Sequence, residues 1–283
     1  MQAKFFYNYR FFFDSLSPFL SLKEKTMKRR TILTSVLFVF SALIFHSCTD
    51  DIFCEDGEGP IVEKEVPVEM FNGIDLASSF DAKIIQGDEQ RVIAIGHENI
   101  IYDLNLDVRE GVWEADLEGG CHTNFSLRLE ITLPSIQKIK TSGSGDLTIA
   151  GFDNLQNLRV VSAGSGDIQS TGIIEVNNLT RIKSDGSGDI ELEITTEDLD
   201  LEMDGSGDVW LAGQADDAFI ELDGSGDLHA FSMTLSSCEI ISDGSGSAGV
   251  YVDDFLEVFI GGSGNVYYRG DPEIHSRIDG SGN

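Results

Sequence analysis

An aspartate follows the triplet Gly-Ser-Gly at five regularly spaced places, Asp146, Asp167, Asp189, Asp208 and Asp227, and the next three copies carry Ser247, Asn265 and Asn283 there. A second set of acids, Asp185, Asp204, Asp223, Asp243 and Asp279, stands immediately before the triplet. If the copies stack, like charges fall over one another, and a hard cation such as Ca2+ would relieve their repulsion. Calcium-binding solenoids with Gly/Asp turns repeat every nine residues, whereas these copies lie about twenty apart. Ser and Asn also replace Asp without disturbing the pattern. The column Asp146, Asp167, Asp189, Asp208, Asp227 and Asn265 therefore reads first as a turn set whose side chains bond nearby backbone amides. Calcium is the weaker alternative, and neither a cofactor nor a dedicated metal site is expected.

Other chemistry is set aside on similar grounds. There is no Gly-Lys-Ser/Thr, and no helical pattern follows the glycines to receive a phosphate. A nucleophilic serine should be singular, whereas this one recurs at every turn. His97, His122, His229 and His275 are scattered, without metal-ligand spacing. Basic residues thin out in the repeats, with Arg181, Lys183, Arg269 and Arg277 among those that remain, and no Lys/Arg cluster of the kind a polysaccharide lyase needs is visible. No catalytic residue is assigned. Cys54, Cys121 and Cys238 allow at most one disulfide among them, and Cys54–Cys121 is the bridge to test. Cys238 falls on an apolar column and reads as a small buried hydrophobe.

The elements that must carry these residues are set by the repeat. The first glycine stands at 143, 164, 186, 205, 224, 244, 262 and 280, with spacings of 21, 22, 19, 19, 20, 18 and 18 residues. Apolar residues recur four before it, from Ile139 and Val160 to Ile240 and Val258, and four after it, from Leu147 and Ile168 to Leu228 and Val266. Further columns lie two and six before, and six after, with charged residues between. Alternation of period two on both flanks of one turn means strands. A rung of about twenty residues, stacked at about 4.8 Å, makes an all-β parallel β-helix, or β-solenoid, in which each rung is stable only against its neighbours. Seven repeats would give a rod about 34 Å long. Glycine is expected at the corner because it tolerates positive φ.

Residues 65–283 are assigned to this solenoid, with 65–140 an irregular lead-in or cap and 141–283 the regular repeats. A separate small β-domain is the alternative for the lead-in. Upstream, Lys28, Arg29 and Arg30 precede an apolar run from Thr31 to Phe45 and then Ser47-Cys48. This reads as a lipoprotein signal peptide over 27–47, with Cys48 as the lipidated residue. His46 and Phe45 depart from the commonest pattern at such sites, and an ordinary signal peptide is the alternative. Residues 1–26 fit neither part and are expected to be a gene-model extension ahead of Met27. Residues 48–64 form an acidic Gly/Pro-containing tether, similar to the acidic export tag of surface-displayed Bacteroidetes lipoproteins.

The formal net charge is −30, and seven of the 19 basic but only two of the 49 acidic residues precede Cys48, which leaves about −35 beyond it. That field repels phosphate backbones and excludes nucleic acid as a partner. The repeated Gly-Ser-Gly-Asp/Asn turn followed by an apolar residue, after a β-rich lead-in ending Leu133-Pro134, resembles the head GIN domain family of auto-transporter adhesins. The likeness spans about residues 65–283 and implies a parallel β-helix and an exported adhesin. The expectation is a non-catalytic adhesin or binding module at the outer membrane, anchored there by lipid, on its surface or periplasmic face. Its ligand would be an unidentified glycan or protein, and Trp113, Trp210 and Tyr267 are candidate contacts. The alternatives are a carbohydrate-active β-helix enzyme and a structural periplasmic lipoprotein.

Overall fold

The computed structural model describes residues 54–283, so the extension, the signal peptide, Cys48 and the start of the tether lie outside the described residues. Nine strands form first: β1 (Glu55–Asp56), β2 (Ile61–Glu65), β3 (Gly73–Leu76), β4 (Asp81–Gln86), β5 (Arg91–His97), β6 (Val108–Arg109), β7 (Val112–Ala115), β8 (His122–Thr123) and β9 (Leu127–Leu133). A short helix, α1 (Glu98–Tyr102), buries Ile100 and Ile101. The repeats follow as β10 (Lys138–Thr141), β11 (Leu147–Ile149), β12 (Phe152–Ser162), β13 (Ile168–Ser170), β14 (Ile174–Ser184), β15 (Ile190–Met203), β16 (Val209–Leu222), β17 (Leu228–Ser242), β18 (Ala248–Ile260), β19 (Val266–Arg269) and β20 (Glu273–Ile278).

The chain winds as a β-solenoid of about seven turns with parallel rungs. From β15 to β18 each rung is one long strand between Gly-Ser-Gly turns, its alternation interrupted partway where consecutive residues such as Glu197 and Asp198 both face outward. Register places like over like: Leu201 pairs with Ile220, Ile220 with Ile240, and Ile240 with Val258. The inward columns build one continuous aliphatic core that buries Ile139, Val160, Ile182 and their successors. Each fully buried Leu or Ile contributes about 1.5–3 kcal/mol, and only stacking removes it from water. Cys238 sits in this column, and burial pushes its thiol up to about 12. In the last rung Tyr268, Ile274 and Ile278 hold inward positions but are exposed, since no further rung covers them among the described residues.

The corner glycines serve a different purpose from the one expected. None of the Gly-Ser-Gly glycines has positive φ; that conformation appears at the other corner, at Gly151, Gly213 and Gly270, each eight residues past the first glycine of its repeat. The turn glycines are required by close approach. A Cβ on Gly224 would lie 2.1 Å from the Gly205 carbonyl oxygen, and one on Gly226 would lie 2.0 Å from that of Gly207. The same glycine-on-glycine contact recurs up the stack, so the backbones of successive corners fill the space a side chain would need. The serine between them points outward.

This also explains how the lead-in joins the repeats. β3 pairs with β10 and β4 with β11, both parallel and in register, so Ile74, Leu76, Ala82 and Ile84 continue the inward columns by one further rung. Its corner is Ser78-Ser79-Phe80-Asp81, a Gly-Ser-Gly-Asp turn without glycine. Beyond it, β7 pairs with β3 and β9 with β4, joined by residues 116–126 instead of a tight corner. No equivalent corner therefore lies beneath Ser78 and Phe80 to exclude a side chain. β5 and β2 then finish this end by antiparallel pairing, and β2 carries Glu63, Lys64 and Glu65, charges that discourage edge-to-edge association.

Candidate functional site

At each turn the residue after Gly-Ser-Gly bonds the next rung. The Asp146 Oδ1 accepts the Asp167 amide at 3.0 Å, Asp167 the Asp189 amide, Asp189 that of Asp208, and Asp208 that of Asp227, the last three at 2.8 Å. Asp227 accepts from Ser247 at 2.7 Å, the Ser247 hydroxyl from Asn265 at 3.2 Å, and Asn265 from Asn283 at 3.0 Å. Asp81 starts the series by accepting the Asp146 amide at 3.0 Å. What the position demands is one acceptor oxygen, which Asp, Asn and Ser all supply. Asp208→Ala should lower stability by about 1 kcal/mol and Asp208→Asn by far less, read from urea midpoints. Millimolar Ca2+ should leave the native melting temperature unchanged.

The carboxylates one residue before the turn are relieved partly from within the chain. Lys183 meets Glu202 and, at 3.0 and 3.1 Å, Asp204 and Asp185. Glu202 and then Asp204 hold the Lys183 ammonium well above the usual lysine range, and Lys183 in turn holds the Asp204 carboxyl low. Farther along, partial burial, then Glu202 and Asp223, push the Glu221 carboxyl up.

A basic column that is not apparent in the sequence lies on this face. Lys138, Arg159 and Arg181 stack in register, and Arg181 bonds Asp200 at 3.1 Å. Arg159 and Arg181 border a depression of about 300 Å3 with Gln137, Gln156 and Asn157. Their spacing in sequence follows the rung length, so the column emerges only once the repeat register is extended back through Lys138.

The stretch of each rung that follows the turn carries an aromatic strip. Glu191, Trp210, His229, Gly249 and Tyr267 succeed one another on adjacent rungs, side chains outward. The Trp210 and His229 rings stack at 5.0 Å with 17° between planes. Gly249 leaves a gap that the Phe231 ring fills: a Cβ there would lie 2.6 Å from that ring. The Arg269 guanidinium covers Phe231 at 4.2 Å. Trp210 and Tyr267 are 36% and 56% exposed, so the strip offers aromatic surface to solvent over about 14 Å, three rung spacings. Toward the turn, Gln169, Glu191 and Asp189 border a shallow depression beside Trp210 and supply hydrogen-bonding groups. Trp113 does not belong here. It is fully buried against Phe71, with its Nε1 donating to the Asn105 carbonyl at 2.9 Å, because its place on β7 faces the core of the lead-in.

Cys54 and Cys121 form the disulfide proposed from the sequence, beside the parallel pairing of β1 with β8. His122 bonds Asp103 at 3.0 Å, His97 accepts the Ser126 amide, and His275 packs edge-on to Phe255. The four histidines of the described residues thus stay in separate places.

Solid core, stacked corners and chemistry confined to the outer faces define a parallel β-solenoid of about seven turns. The chain belongs to the family described as "Putative auto-transporter adhesin, head GIN domain", whose profile matches residues 70–180 and again 154–272. Three crystal structures share the fold, each covering 81% of this chain. A "putative lipid binding protein" from Parabacteroides distasonis has TM-score 0.73 and 24% identity, over 97% of its own length. A "putative adhesin" from Parabacteroides merdae has TM-score 0.73 and 23% identity over 96% of its length. A second "putative adhesin" from P. distasonis has TM-score 0.74 and 22% identity over 97%. No curated protein matches the chain.

Proposed function

We propose that this chain is an outer-membrane lipoprotein, anchored through Cys48, that acts as a non-catalytic adhesin and holds an extended neutral glycan on the Trp210–Tyr267 strip. The observation that carries this reading is the strip itself: aromatic side chains on successive rungs, Trp210 and Tyr267 exposed at its ends and the gap at Gly249 filled by Phe231. Exposed aromatic surface suits the C–H faces of sugars, and Gln169, Glu191 and Asp189 suit their hydroxyls. The net charge of −30 disfavours polyanions. The signal-like segment before Cys48 and the acidic tether after it support export and anchoring. The interior is occupied by stacked aliphatic side chains, so a ligand, lipid included, would bind outside.

The test is a panel of neutral host and bacterial glycans, followed by titration of the best binder. Trp210→Ala with Tyr267→Ala should weaken binding tenfold or more, since exposed aromatic anchors each carry about 1–2 kcal/mol. Undiminished binding by that variant would remove the strip from the account. The Lys138–Arg159–Arg181 column, with Asp200 beside it, is the feature that favours the enzyme reading. The adhesin reading expects acidic polysaccharides to keep their length after incubation with the chain, and their depolymerisation would move the assignment to the enzyme.

A further inference from the structure

At the lead-in end, far along the chain from the strip residues, three different metal-capable side chains converge. Glu55, Asp103 and His122 place one ligand atom each within 4.8 Å of one another, the one such group among the described residues. The convergence is built in. The Cys54–Cys121 disulfide stands one residue before Glu55 and one before His122, and the parallel pairing sets Glu55 directly beside His122. Asp103 comes from the end of α1, held by its amide donating to Ile100 and its carbonyl accepting from Glu118.

The donors are also oriented. Asn99 Nδ2 donates to the Glu55 carboxylate at 3.0 Å and to the Asp56 carbonyl at 2.8 Å, and Asn99 Oδ1 accepts the Glu58 amide. Outer-shell bonds of this kind fix ligand direction in metal sites. The His122 side chain is only 5% exposed and its ring meets Phe125 edge-on, so Nε2 is its atom turned into the group. Nε2 and the Asp103 Oδ2 stand 3.0 Å apart. Bonds of about 2.0–2.1 Å in a tetrahedral zinc site put ligand atoms about 3.3 Å apart, close to that separation.

We propose that Glu55, Asp103 and His122 form a site for one divalent transition metal of the Zn2+ class, with solvent at the fourth position, that fastens the start of the fold. One imidazole and two carboxylates suit zinc better than calcium, whose sites are built from six to eight oxygens. The site lies seven residues past Cys48, where the tether enters the described structure, so metal and disulfide would together secure the point at which an anchored chain is pulled.

The test uses the full chain, purified in detergent with its disulfide intact, stripped with chelator and titrated with Zn2+ alone, with Ca2+ as control. One zinc per chain is expected, with binding weakened tenfold or more in Glu55→Gln and abolished in His122→Ala. Zn2+ should raise the melting temperature of the native chain and not that of His122→Ala. Glu55 is exposed, so Glu55→Gln decides the matter should His122→Ala fail to fold. Absence of zinc binding would overturn the proposal, and so would binding that both variants retain. Glycan binding by the strip is a separate readout, so either idea can fail alone.

Discussion

Gly226→Ala is expected to lower the stability of the solenoid by about 3–5 kcal/mol, among the largest effects available to one methyl group. The residue has no positive φ to defend. Its added carbon would lie 2.0 Å from the Gly207 carbonyl oxygen, a backbone atom that cannot step aside without parting two rungs. Parting them lengthens the Ser225–Gly205 backbone bond and strains the Asp208–Asp227 bond. Ser225→Ala, one residue away and exposed, is the control and should be nearly neutral. Urea midpoints of the two variants measure the contrast. Equal midpoints would mean that the corners tolerate a wider spacing than the glycine contacts imply.

The second large effect is expected from replacing both Cys54 and Cys121 with serine. The bridge joins residues 67 apart in sequence, and closing a loop of that size stabilises by about 4 kcal/mol in the chain-entropy account. β1 and β8 have two residues each, too few to hold the segment alone. In a solenoid each rung contacts only its neighbours, so the loss should concentrate in the lead-in. Hydrogen exchange should show faster opening of residues 54–66 and 116–126, with β15 to β17 unchanged. Reductant should reproduce the effect in the native chain and do nothing further to the variant. A native chain whose melting is indifferent to reductant would contradict this view of the staple.

The repeats could be read from sequence because a solenoid writes its geometry as periodicity. Ile139, Val160 and Ile182 fall in one column whether counted or folded, and its column alone puts Cys238 in the core. The lead-in was harder for a physical reason. Its rung is marked Ser78-Ser79-Phe80-Asp81 and lacks the Gly-Ser-Gly signature, since glycine is needed only where another corner lies beneath. The purpose of the corner glycines is hidden for a related reason. Positive φ and close approach both select glycine, and sequence cannot tell them apart. Trp210 and Tyr267 stand out in the sequence as candidate contacts, and Phe231 does not. Its place in the strip depends on the gap at Gly249, on the next rung. The Lys138, Arg159 and Arg181 column and the Glu55, Asp103 and His122 group needed register and cross-chain pairing to appear.

The central claim is that this solenoid presents its binding face outside the cell, and protease treatment of intact cells tests it most directly. The mature chain is followed by antibody, with a known periplasmic protein as the control for intactness. The account predicts loss of the chain while the control survives. Survival of the chain until the cells are opened would contradict it, confine the protein to the periplasmic side and leave the structural lipoprotein as the reading to pursue.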